Sequence, residues 1–208
     1  MATVPSAGLP DVLKKSLFVI VAAFAAFFVY RNVLPYFTWT EATYGYYWAF
    51  RLQLFVHVAG GMIAALAGIW QIWSGLNTQS MRVHPWTGRL YVAGVLLGSA
   101  GALVLAFTSA VYGFAWAVAL ICLAIAWLVT TGTALYSIRK RYVVLHKQWM
   151  IRSYILTFAF VTFRIFTDYV PYEEWWGISM QDMSNAVIWP VWVMPLLTYE
   201  MMLGRKRA

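Results

Sequence analysis

The stretch AWAVALICLAIAWLV, residues 115–129, carries no charge, and its only hydrogen-bonding side chains are two indoles and one thiol. With its flanks it extends to an apolar run over about 113–137, followed by Arg139, Lys140 and Arg141. A helix rises about 1.5 Å per residue, so roughly 20 such residues cross the hydrocarbon core of a bilayer. The run therefore reads as a membrane-spanning helix.

Working outward, the same pattern predicts five more spans, at about 16–34, 51–74, 85–108, 147–169 and 187–203. The first follows Lys14 and Lys15 and runs into RNVLPYF with no clear cleavage site, so it reads as a retained anchor rather than a signal peptide. SAVYG at 109–113 makes a short turn. Pro190 and Pro195 make the last helix the one expected to bend. Composition agrees: of 208 residues, 62% are hydrophobic and 11% charged, against roughly 45–50% and about 25% in soluble domains. The expected fold is all-α, a single domain over 1–208 with six transmembrane helices in a bundle. The net charge of +8 does not point to nucleic acid, because the cations cluster beside the spans. Cys122 is the only cysteine, so it forms no internal disulfide and reads as a small buried side chain.

Lys and Arg set the orientation. With both termini cytoplasmic, the inner side holds Lys14, Lys15, Arg82, Arg89, Arg139, Lys140, Arg141, Lys147, Arg152, Arg205, Lys206 and Arg207, and the outer side holds only Arg31, Arg51 and Arg164. The outer loops carry Glu41, Asp168, Glu173, Glu174 and Asp182. They also hold the aromatic runs YGYYWAF and YVPYEEWW, which read as an interfacial belt. The expected location is the cytoplasmic (inner) membrane of a bacterium, as a multi-pass protein whose first partner is the lipid bilayer.

Ionisable residues at membrane depth are functional candidates. Toward the outer face His57 and Arg164 share a level. Asp168 lies one turn beyond Arg164 on the same helix face, so the two can pair. This second polar cluster reads equally as a structural ion pair beside a hydrogen-bonded histidine. At the inner face His84 precedes Pro85 and His146 opens the fifth span, with Arg89, Gln71, Arg152 and Ser153 at similar depth. Two facing imidazoles supply the axial ligands of a b-type haem, and arginines bind propionate carboxylates. A quinone site is the other reading of this cluster. His84 and His146 are thus the candidate metal ligands, and Arg89, Arg152 and His57 join them as candidate cofactor contacts. In VHVAGG and VHPWTG a glycine follows the histidine by four residues, which removes bulk beside a flat ring. Gly60, Gly61, Gly68, Gly88, Gly94 and Gly98 equally suit close helix packing. Zinc is not expected, because three histidines split between two faces cannot converge on one ion. A transport role is disfavoured, because no pair of broken helices with carboxylates is evident.

The order FVHVAGGMIAALAGIWQI, RVHPWTGRLYVAGVLLG and LHKQWMIRSYILTFAFVTFRI, over about 50–170, resembles the prokaryotic membrane-protein family called domain of unknown function 2306. Its strongest parts are His84 with Gly88-Arg89-Leu90-Tyr91 and His146 with Trp149-Met150-Ile151-Arg152-Ser153-Tyr154. That resemblance implies a helical membrane protein and attaches no activity. More remotely, the layout is similar to the cytochrome b-561 superfamily, six-helix electron carriers with histidines of helices two and four on one haem and of three and five on another. Carried over, His84 and His146 match the second pair and His57 the helix-two ligand. The run 113–137 has no histidine, so at most one bis-histidine haem is implied. The resulting expectation is a membrane redox protein binding a haem b or quinone at the inner cluster. The alternative is a non-enzymatic accessory or assembly subunit of a larger membrane complex.

Overall fold

A computed structural model describes residues 11–76, 82–108 and 111–205, and among these the secondary structure is helical throughout, with no strand. Lys206 and Arg207, placed on the inner side by the charge rule, lie outside the described residues. The long elements are α1 (Asp11–Asn32), α3 (Arg51–Leu76), α4 (His84–Thr108), α5 (Phe114–Arg139), α6 (Val143–Thr157), α7 (Ala159–Tyr169) and α10 (Pro190–Arg205). Short helices α2 (Glu41–Tyr44), α8 (Tyr172–Trp176) and α9 (Met180–Val187), with two 3-10 turns at Leu34–Thr38 and Gly45–Phe50, fold over one end.

Five helical stretches are long and apolar enough to cross a membrane: Glu41–Gly75, His84–Thr108, Phe114–Arg139, Val143–Tyr169 and Met180–Arg205. The apolar part of α1, Phe18–Asn32, is shorter. The protein is therefore an all-helical, multi-pass membrane protein in contact with lipid, and the apolar residues its helices leave exposed, such as Phe107, Phe114 and Val129, suit hydrocarbon.

The tightest contact is between α3 and α4, which run antiparallel with their backbones touching. A Cβ on Gly60 would collide with the Gly98 nitrogen, and one on Gly101 would stand 2.6 Å from the His57 nitrogen. Without a hydrophobic drive between helices in lipid, such close approach supplies the packing energy. On the next face Gly68 accepts the ring of Tyr154 from α6. α5 packs against both α4 and α6, and Trp116, Leu123, Trp127, Leu156 and Phe163 fill the core between them.

The turn from α5 to α6 is a Schellman motif. The Tyr142 N–H reaches the Ser137 carbonyl (2.9 Å) and the Arg141 N–H the Ile138 carbonyl (2.9 Å). Its left-handed position, usually glycine, is Arg141 at φ 62°. A side chain there costs on the order of 1–2 kcal/mol.

Two expected spans prove to be interrupted. The 147–169 span is α6 and α7 with a break at Phe158, where Thr157 Oγ1 donates back to the Ser153 carbonyl (3.0 Å), a bond that bends helices. The last span begins earlier than 187. α9 starts at Met180, capped by the Ser179 hydroxyl, which accepts the Asp182 N–H (3.2 Å). Its break at Ile188–Trp189 precedes Pro190, which opens α10. Neither break has a carboxylate within one turn.

Candidate functional site

The helix directions gather the end of α3, the starts of α4 and α6, and the ends of α5 and α10 at one end of the bundle. This basic end carries Arg82, Arg89, Arg139, Lys140, Arg141, Lys147 and Arg205. α4 and α6 run parallel. Their register is fixed deeper in the core, where the Tyr91 hydroxyl meets Ser153 Oγ (2.6 Å) and Thr157 Oγ1 (2.8 Å). His84 lies seven residues before Tyr91 and His146 seven before Ser153. Two helical turns return each to the same face, so the two histidines lie at similar levels on α4 and α6.

Each ring is held through Nδ1. His146 Nδ1 bonds the Ala134 carbonyl of α5 (2.9 Å). A carbonyl only accepts, so a neutral His146 carries its proton on Nδ1 and leaves the Nε2 lone pair open. His84 Nδ1 meets Ser74 Oγ (2.8 Å); His84 has the same tautomer when Ser74 donates its own proton to the Gln71 carbonyl (3.3 Å) rather than to the ring. Gly75 lies 3.6 Å, measured from a Cβ built on it, from His84 Cε1, and Gln71 Nε2 donates to the His84 carbonyl (2.6 Å) and to Thr87. The end of α3 is thus a socket for His84. A partner on Nδ1 that orients the ring and fixes the tautomer is what a ligating histidine requires.

The donor set therefore fits a metal-borne cofactor at the imidazoles. The arginines fit it less well. Arg152, expected beside the pair, instead makes a two-pronged bond to Glu200 of α10 (Nε to Oε1 2.6 Å, Nη2 to Oε2 2.8 Å). Its guanidinium is stacked between Trp149 (4.6 Å) and Tyr199 (5.2 Å). Its two best donors are spent, and it faces α10. Arg89 lies over the Trp86 ring (4.5 Å) in an exposed position, with no acid beside it among the described residues.

Between the histidine level and the break at Phe158 the core is polar. Thr131, Ser153, Tyr91 and Thr157 form a chain of hydroxyls, and Trp127 Nε1 donates to Thr157 Oγ1 (3.0 Å). Thr131 donates to the Trp127 carbonyl (2.7 Å) and Thr157 to the Ser153 carbonyl (3.0 Å), which leaves the Ser153 and Tyr91 protons to link the chain. Tyr91 and Ser153 are fully buried. The sequence reading placed Ser153 at this depth but found neither Ser74 nor this chain. Serines and threonines inside apolar runs were the only signal, and they do not say which neighbour they face.

The second polar cluster is only partly assembled. Arg164 Nη1 stands 3.5 Å from Asp168 Oδ1, and its Nη2 donates weakly to the Tyr36 hydroxyl (3.4 Å). His57 joins neither. Its Nδ1 donates to the Gly98 carbonyl (2.8 Å) and its ring packs edge-on to Phe160 (5.3 Å). It is 17 residues along α3 from Ser74, roughly 25 Å, and so belongs to a different level from His84. Among the described residues no three of His, Cys, Asp and Glu converge as a metal cluster.

A helical bundle with ionisable side chains inside its spans defines an integral membrane protein with a buried polar site. The profile of the predicted membrane protein family DUF2306 matches residues 54–203, from α3 almost to the end of α10, and the chain belongs to that family. No curated protein matches the chain, and no solved structure does.

Proposed function

We propose that this protein is a membrane redox carrier whose cofactor, a b-type haem or a quinone, binds at the basic end between α4 and α6. One observation carries the reading. His84 and His146 lie at similar levels on α4 and α6, and each ring is anchored through Nδ1, which leaves Nε2 of His146, and of His84 when Ser74 accepts from it, for a ligand. A lone pair at both Nε2 atoms suits axial ligation better than a quinone carbonyl, which needs donors. His84 and His146 would hold the haem, and Arg89 is the arginine left for a propionate. Bound there, the haem would supply one-electron chemistry. The protein's part is to hold both rings in one tautomer through Ser74 and the Ala134 carbonyl. It also keeps Tyr91, Ser153 and Thr157 as a satisfied polar layer behind them. In this reading α1 completes a six-helix bundle as one domain. Both termini and the basic end face the cytoplasm of a bacterium.

The test is the visible spectrum of the purified protein, oxidised and reduced. A Soret band with a reduced α-band, lost in His84→Ala and in His146→Ala but kept in His57→Ala, is the expected result. Absence of haem by the pyridine assay, in protein expressed with a haem supply, rejects the haem form. Quinone extraction then decides the other. A second reading, an accessory subunit of a membrane complex, draws on α10, whose Met194, Leu197, Met201 and Met202 are left exposed. It predicts a partner co-purifying in fixed ratio and unaffected by loss of either histidine.

A further inference from the structure

The α5–α6 turn has a composition that the redox reading does not use. Arg139, Lys140 and Arg141 follow one another there, all exposed, and exposed Lys147 comes one turn into α6. The chain has no Asp or Glu between Glu41 and Asp168. Glu200, near the end of α10, binds Arg152. No acid of the turn's own helices answers its four cations. Beside them is an open depression of about 390 Å³ lined by Tyr142, Val143, Val144, Leu145 and Gln148. Its walls are mostly apolar, with Gln148 as the polar exception, and exposed, Val144 at 72% and Val143 at 50%. Cations next to bare valines at the mouth of a membrane bundle match a molecule that is anionic at its head and hydrocarbon just below it. The general rule that cations flank spans asks only for charge nearby. It does not ask for a third cation at the left-handed position of the Schellman turn, where Arg141 stands at φ 62°.

We propose that this turn is a binding site for an anionic phospholipid. Arg139, Lys140, Arg141 and Lys147 face the phosphodiester, and the depression along Tyr142–Leu145 receives the glycerol and first methylenes. Arg152 takes no part, being held by Glu200. The site is independent of any cofactor at His84 and His146.

The test uses the full chain in zwitterionic micelles with phosphatidylglycerol titrated in. Native mass spectrometry counts retained lipid, and thermal melting follows stabilisation. Wild type is expected to retain phosphatidylglycerol over phosphatidylcholine. A cation near a membrane surface contributes about a fivefold factor, so Arg141→Gly with Lys147→Gln lowers the affinity about thirtyfold. That variant should melt no lower than wild type without anionic lipid, because glycine relieves the backbone at 141. Arg139→Gln with Lys140→Gln, which leaves residue 141 untouched, should show a similar loss. Arg82→Gln with Arg205→Gln removes the same charge from the same end and should leave affinity within about twofold. Equal loss in the Arg82/Arg205 control makes the attraction diffuse and overturns the site. So does unchanged binding in both turn variants. Displacement of the lipid by millimolar glycerol 3-phosphate reassigns the turn to a soluble phosphoester.

Discussion

Gly60 and Gly61 are neighbours on α3 with opposite surroundings. A methyl at Gly60 collides with the α4 backbone, whereas nothing stands within 4 Å of one at Gly61. Gly60→Ala is therefore expected to destabilise the protein by about 1–3 kcal/mol through overpacking. Gly61→Ala should be neutral or stabilising by up to about 1 kcal/mol through helix propensity. Denaturant unfolding in mixed micelles reads both, and equal effects would mean that α3 and α4 are not in backbone contact. Both glycines follow His57 in VHVAGG, and nothing in that string separates them. The difference comes from how α3 is rotated toward α4, which no single helix encodes. The histidines show the same limit. Their number and their ends were legible, because hydropathy fixes depth. The Ala134 carbonyl that holds His146 was not, because a backbone acceptor has no signature in sequence.

Among the helices, α4, α5 and α6 are joined by hydroxyls as well as by apolar packing. Tyr91 is fully buried and bonds two residues of α6. Tyr91→Phe removes one donor and acceptor but keeps the ring. It also takes a hydrogen-bond partner from Ser153 and from Thr157, so a loss of about 1–2 kcal/mol is expected. Because Tyr91 and Ser153 set the level of His84 against His146, the substitution should also broaden the spectrum of a bound haem without abolishing it. A stability loss below about 0.3 kcal/mol would show that the hydroxyl chain does not fix the register. Helix boundaries follow a similar division. The start of α9 at Met180 went unread, although Ser179-Met-Gln-Asp182 is a capping sequence just ahead of the last span. The break at Phe158 was not, since a threonine that back-bonds at 157 also occurs in straight helices.

For the molecule as a whole, the helix directions put the start of α1 and the end of α10 at the basic end. Phe18 stacks on Trp73 near the end of α3 (4.4 Å), while Arg31 reaches the Tyr169 ring near the end of α7 (5.9 Å). α1 therefore runs the length of the bundle antiparallel to α3. Single-cysteine reporters at residues 12 and 203, made in a Cys122→Ala background, should be labelled from the same side of sealed vesicles, the cytoplasmic one. Labelling from opposite sides would remove α1 from the set of spans. A reporter at Glu174 should label from the other side, where Glu173, Asp182 and the exposed Trp175 and Trp176 gather.

The sequence by itself determined the class of protein, the approximate spans, the family and the charge asymmetry between the two ends. The class and the spans depend on the transfer of about 20 consecutive residues into hydrocarbon, a property that a segment has alone, and the family and the asymmetry depend on which residues stand at fixed places along the chain. Only the tertiary structure decided which polar groups meet. It joined Arg152 to Glu200 rather than to the histidines, and it gave His57 to the Gly98 carbonyl. It also anchored His84 on Ser74 of α3 and His146 on the Ala134 carbonyl of α5. Those pairings depend on helix rotation and register, which are fixed by close contact between segments far apart in the chain.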